Sequence, residues 1–257
     1  MKKILSLALI AAVSSALAVE SSNTFGILRV DSTSAQTIVS VPWEGAGATG
    51  DDAGKIMVKD IVKTANLTKS SAQDATDGDK LYLYTGGQYY AWYLNYNGAW
   101  TGIQIAAADG LPAAGNDDTK KISRGDAIIL VRQNPTITEG DVTKANPFYL
   151  YGQYTSSSAT VACVAGGHTL IAPPTTTDTF NLNGTDVMTG TPAAGDYIIV
   201  GPGKILTYKA GTGWAIKKTT VTNGVPSTTY DTESAKIPAG IGVWYVSTGT
   251  SAPTFNF

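Results

Sequence analysis

Cysteine and histidine each occur once in this 257-residue chain, and charged side chains make up only 15% of it. A single Cys163 excludes an internal disulfide framework and any zinc site built on cysteines. With His168 as the sole imidazole, a Ser-His-Asp triad or a histidine metal site has only one residue to run through. The 18 basic and 20 acidic groups leave a formal charge of −2, without the clustered Lys and Arg that a phosphate backbone requires, so nucleic acid is not an expected partner. No glycine-rich phosphate loop precedes a helix, and no dinucleotide fingerprint occurs. Long apolar runs are also missing. The one near the start, Ile4 to Val13, is shorter than the roughly 20 residues of a membrane helix, so no transmembrane anchor is expected.

That run has another meaning. Met1-Lys2-Lys3 is a short basic segment, the apolar stretch follows, and Ala16-Leu17-Ala18 supplies small residues where a signal peptidase reads. The pattern predicts a signal peptide over 1–18, cleavage after Ala18, and an exported protein that is extracellular or on the cell surface, with the periplasm also open.

Gly, Thr, Ser and Ala take the place of the missing charges. The apolar residues come in short runs rich in Val, Ile, Tyr and Thr, divided by Gly, Asn, Asp and Pro, which is the pattern of strands and turns. Strands are expected at 26–30, 37–41, 80–84, 89–96, 127–131, 148–151, 160–164, 197–200, 204–209 and 242–246. Asn97-Gly98 between Tyr89–Tyr96 and Ala99-Trp100 signals a tight hairpin of type I′. Val58, Ile61, Val62 and Ala65 have helical spacing, which predicts one short helix near 58–66. Alternation puts Tyr90, Trp92, Leu94 and Tyr96 toward a core. The unbroken apolar run Ala127–Val131 predicts a strand covered on both faces.

The two halves repeat one another. Gln36–Pro42 resembles His168–Pro174, and Ile56–Val62 can be laid over Phe180–Val187. Gly78-Asp79 before Leu81–Tyr84 matches Gly195-Asp196 before Ile198–Val200. Each is followed by a second strand and a tryptophan, Trp100 or Trp214, and Ser123–Val131 then matches Pro238–Val246. The order of all five blocks is kept. The expected fold is all-β, with two tandem related sandwich or barrel-like modules at 19–154 and 155–257, joined through the Thr-Ser-Ser-Ser stretch at 155–158.

Asn23–Asp31, Thr37–Trp43, Arg124–Pro135 and Pro147–Tyr154 resemble a group of uncharacterised exported bacterial β-rich proteins, and the resemblance runs over nearly the whole chain. It implies bacterial export and brings no activity, cofactor or catalytic residue with it.

Candidate sites each have a plainer reading. His168 lies in a Gly-Gly-His-Thr turn, and its repeat counterpart is Gln36, which suits a polar turn residue better than a catalyst. Cys163 sits in an apolar strand with no basic neighbour, as an inert thiol would. Arg124-Gly125-Asp126 spells an adhesion tripeptide. Gly-Asp before an apolar strand occurs three times, however, and reads as a strand-initiating turn. Asp74, Asp77 and Asp79 pack oxygen ligands and a glycine into one turn and form a calcium candidate, without EF-hand spacing. Tyr82, Tyr84, Tyr89 and Tyr93 are candidate ligand or interface residues, because alternation turns half of a dense aromatic block away from the core. Such rings bind sugars or a protein neighbour, or simply pair across strands. With no catalytic constellation, no enzyme and no cofactor are expected. The reading is an exported structural protein that associates with itself, with a glycan-binding module as the alternative.

Overall fold

The structure, a computed structural model, describes residues 25–44, 54–85, 88–105, 114–153, 158–174, 179–201, 204–223, 225–238 and 240–257. The expected signal peptide and residues 155–157 of the expected join lie outside them. The chain is all-β, 52% strand and 2% helical. No helix among the described residues is long and apolar enough to cross a membrane.

In chain order the first half builds β1 (Phe25–Val30), β2 (Gln36–Ser40), β3 (Ile56–Met57), α1 (Val58–Ile61), β4 (Val62–Lys63), β5 (Lys80–Thr85) and β6 (Gln88–Leu94). It continues through β7 (Trp100–Gly102), β8 (Ala114–Gly115), β9 (Lys121–Ile122), β10 (Ala127–Val131), β11 (Thr136–Glu139), β12 (Val142–Ala145) and β13 (Phe148–Gln153). The second half builds β14 (Thr160–Ala162), β15 (His168–Ile171), β16 (Phe180–Asn181), β17 (Met188–Thr189), β18 (Tyr197–Gly201) and β19 (Lys204–Lys209). Then come β20 (Gly213–Thr222), β21 (Val225–Asp231), β22 (Lys236–Ile237), β23 (Val243–Val246) and β24 (Thr254–Asn256).

The repeat seen in the sequence is a repeat of topology. One half orders its large sheet β2-β10-β5-β6-β7 and the other β15-β23-β18-β19-β20-β21. Smaller sheets β1-β13-β4 and β14-β24-β17 correspond, as do the pairs β3-β9 and β16-β22. Register agrees to the residue: Gln36 faces Val131 as His168 faces Val246, and Leu81 faces Trp92 as Ile198 faces Leu206.

Each half has its own core between its large and small sheets. Leu81, Trp92, Leu94, Ile128 and Leu130 meet Phe148, Leu150 and Val62 in the first. Ile198, Leu206, Trp214, Val243 and Tyr245 meet Val161 and Phe255 in the second. A third cluster joins the halves: Ala127, Ile129, Ile38, Tyr82, Tyr84 and Tyr89 pack against Leu170, Ala172 and Trp244. Along β10 the side chains divide accordingly, Ile128 and Leu130 inward, Ala127 and Ile129 to the junction. The join is reciprocal. Ser40 N–H donates to the Gly240 carbonyl and its repeat counterpart Ala172 donates to the Gly125 carbonyl, both at 3.1 Å. Gly125 and Gly240 are themselves counterparts with φ of 91° and 71°, a conformation open to glycine.

The short helix expected near 58–66 is present as the single turn α1, which ends because Val62 leaves it to pair with Leu150, a better use of a β-branched side chain. Two local expectations are corrected. The hairpin at Asn97-Gly98 is not the two-residue type. Asn95 and Ala99 close a three-residue loop with Gly98 at φ 83°, and the Asn95 side chain accepts from Ala99 N–H at 3.0 Å. Tyr96, past the end of β6, is therefore exposed and not in the core.

Among the described residues, two hairpins have no counterpart in the other half. The β11–β12 hairpin stands on a base held by the buried Arg132, whose guanidinium donates to the carbonyls of Asn146 (2.5 Å), Asn66 and Asn134 (both 3.3 Å). The β20–β21 ribbon outruns β19: Lys217–Val221 and Val225–Tyr230 are exposed on both faces. Its root is clamped by Lys218 to Asp231 at 2.6 Å. That bond and those from Ser234 hold the Asp231 carboxyl down at about 2, so the clamp is intact above the ordinary carboxylate range and opens only as pH falls through that value.

The junction leaves no room at Gly242, where a Cβ would lie 2.7 Å from both Ala127 Cβ and Ile38 Cγ2. Gly242→Ala should cost about 1–3 kcal/mol through overpacking, read as a lower urea midpoint. An unchanged midpoint would mean that the halves do not dock this closely.

Candidate functional site

The Gly-Asp pairs resolve into one device used twice. Asp79 and Asp196 open β5 and β18 and are buried. Asp79 accepts from Thr68 N–H (3.0 Å) and Gln133 N–H (2.7 Å). Asp196 accepts from Ala193 N–H (2.9 Å), Thr248 N–H (2.7 Å), the Thr248 hydroxyl (3.0 Å) and the Tyr245 hydroxyl (2.5 Å). Gln133 and Thr248 occupy the same place in the repeat, just beyond β10 and β23. Each carboxylate thus fastens the loop after the central strand to the start of its neighbour. Burial pushes the Asp79 carboxyl up, against the pull of its backbone bonds. The Tyr245 phenol is also raised, first by burial and then by its bond to Asp196. All four Asp79 and Asp196 carboxylate oxygens accept from their own module, which is structural use.

Asp126, the third Gly-Asp carboxylate, turns back to Ser123 N–H at 2.8 Å. The Arg-Gly-Asp run is a strand-initiating turn at the module junction, with Gly125 at φ 91°.

His168 is exposed at the edge of the large sheet, edge-on to Trp244 at 6.3 Å between ring centroids. The Cys163 thiol is half-buried, and burial pushes it up to about 12, far from a reactive thiolate at neutral pH. The calcium candidate is dispersed. Asp79 is buried on its two amides, Asp77 accepts from Ser71 N–H at 2.9 Å and Asp74 is exposed. Among the described residues no three such side chains form a group able to hold a metal ion.

The four tyrosines share the outer face of the first large sheet, and the structure divides them. Tyr84 and Tyr89 are cross-strand partners with centroids 4.8 Å apart, and Tyr84 meets Trp244 edge-on at 5.3 Å. Tyr82 lies beside Ile129. These three are half-buried in the junction cluster. Tyr93 faces Lys80 and Thr101, apart from the junction cluster. Tyr82 and Tyr89 instead line a cleft of about 290 Å³ with Gln36, Ile105, Ala114, Ile129 and Val131. Burial raises both phenols. A largely apolar lining that includes two tyrosines and a glutamine suits a small ring that carries hydroxyl groups. Trp244, from the other half, and Gln36 had no sequence signal linking them to the tyrosines; only the docking of the halves and the pairing of β2 bring them there.

No protein-family model, curated protein or solved structure matches this chain.

The buried carboxylates can be checked directly. An amide in place of Asp79 or Asp196 presents NH2 to donors on one side, so Asp79→Asn and Asp196→Asn should each lose about 1–3 kcal/mol in chemical denaturation. Asp117→Asn, where one oxygen accepts both bonds from Thr119 in an exposed turn, should stay within about 0.5 kcal/mol. Equal losses at all three sites would refute the tie.

Proposed function

We propose that this chain is an exported, non-catalytic structural protein of the cell surface or its surroundings, and that it associates with itself. The observation that carries the reading is a pair of hairpins, β11–β12 in one half and β20–β21 in the other, each without a counterpart among the described residues. They stand out from the packed body and present apolar side chains to solvent, with Val142 63%, Val221 68% and Val225 66% exposed. A two-stranded ribbon packed on neither face is marginal alone, and the valines near its end offer apolar surface to a neighbour. The carboxylates of Asp79, Asp126 and Asp196 are occupied in holding turns, which supports a scaffold. Light scattering on the purified chain should give a mass above that of one chain, rising with concentration. A single-chain mass throughout, with no ordered assemblies in electron microscopy, would end this reading.

A second reading, glycan binding, is supported by the Tyr82–Tyr89 cleft. Tyr82→Phe and Tyr89→Phe remove only hydroxyls, so each should weaken retention on a glycan array several-fold with melting unchanged. Absence of retention of the parent chain on every glycan would dismiss it.

A further inference from the structure

β21 ends the order of its sheet, and among the described residues no strand pairs with its outer edge. Thr222 pairs with Val225 across a two-residue connection, and Asn223 within it has φ 52°. In such a hairpin the flanking residues exchange both ladder bonds, and bonding recurs at every second pair. Thr222, Thr220, Lys218 and Ile216 therefore bond to Val225, Ser227, Thr229 and Asp231. The other flank of β20 agrees. Lys209 faces Gly213 beside its turn, so Ala215 bonds toward β19 and Ile216 toward β21. Pro226, Thr228 and Tyr230 then turn their backbone groups away from the ribbon. Pro226, which has no N–H, occupies one of those outward positions, where the ribbon loses no bond by it.

From this edge we infer that β21 pairs antiparallel with β21 of a second copy of this chain, joining two large sheets into one continuous sheet across a twofold axis. The inference rests on the self-association proposed above and names its surface. Val225 to Tyr230 carry no charge of their own, so these segments of two copies place no like charges opposite one another; Lys209 covers only the Tyr230 ring, 4.0 Å from its centroid at the root of the ribbon, and Pro226 alone of the outward positions has no N–H to give. Thr228 and Tyr230 N–H groups find carbonyls on the partner strand, and threonine, tyrosine and proline side chains meet across it in pairs that favour a sheet. Identical edges paired antiparallel form a closed, isologous contact. Within the chain, the two halves already join by reciprocal backbone bonds between equivalent positions, Ser40 to Gly240 and Ala172 to Gly125.

Thr228→Pro tests the edge, because the lost N–H points outward and the ribbon keeps its own ladder. Light scattering should show the parent chain as a dimer or larger and the variant at half that mass or less, with the same melting temperature. Ser227→Cys, Thr228→Cys and Thr229→Cys provide a second reading that does not depend on proline being tolerated. On mild oxidation at least one should give a disulfide-linked dimer, and Val142→Cys and the parent with Cys163 alone should not. Association that survives Thr228→Pro, or the absence of linked dimer from all three cysteine variants, overturns edge pairing and leaves self-association through another surface. A parent chain that is monomeric at every concentration overturns both.

Discussion

A strand with apolar side chains on both faces has to be covered twice, and this protein is arranged around two such strands. The inward residues of β10, Ile128 and Leu130, fill the first core, and its outward residues, Ala127 and Ile129, need a second cover. β23 has the same demand, with Val243 and Tyr245 inside and Trp244 outside. Each half supplies the other's missing cover. The docking is held by apolar burial and fixed in register by two reciprocal backbone bonds between equivalent residues. The close approach at Gly242 and the half-burial of the tyrosine face both follow from it.

Polar side chains mostly serve this packing. Asp79 and Asp196 sit where a central strand leaves its sheet, and their oxygens take up amides that a buried loop would otherwise leave without partners. Arg132 does the converse for carbonyls: three backbone oxygens from three segments converge on one guanidinium, which fixes the base of the β11–β12 hairpin. The second half has Ser247 at that place and no such hairpin. The two halves share the core arrangement and the carboxylate tie, and among the described residues they differ in the hairpins.

Ten of the strands could be located from the sequence because each is rich in β-branched and aromatic residues and bounded by turn formers; strands such as β3, β9, β11 and β12, of two to four residues, are too short to carry that pattern. Ala127–Val131 and Lys204–Lys209 are found at their expected limits. The duplicated module was equally legible, since five blocks in one order require one topology, and the Gly-Asp turns signalled themselves by recurring. The β20–β21 ribbon escaped notice because a Thr- and Lys-rich strand exposed on both faces has no alternation to reveal it. The site was less legible still. Tyr82 and Tyr89 were recognisable as facing away from the first core, but Gln36 and Ile105 come to their cleft, and Trp244 to Tyr84, from other segments.

Period-two alternation is local, set by the pleat of a single strand, so the sequence by itself determined the all-β class, the repeat and which side of each strand is apolar. What lies over an outward face is decided by contacts between residues far apart in the chain, whose energies depend on the shapes that meet. Only the tertiary structure could therefore turn an expected open row of tyrosines into a half-buried junction with a cleft beside Tyr82 and Tyr89. The same holds for β21, which ends its sheet with no strand beyond it among the described residues, a place that only the strand order decides.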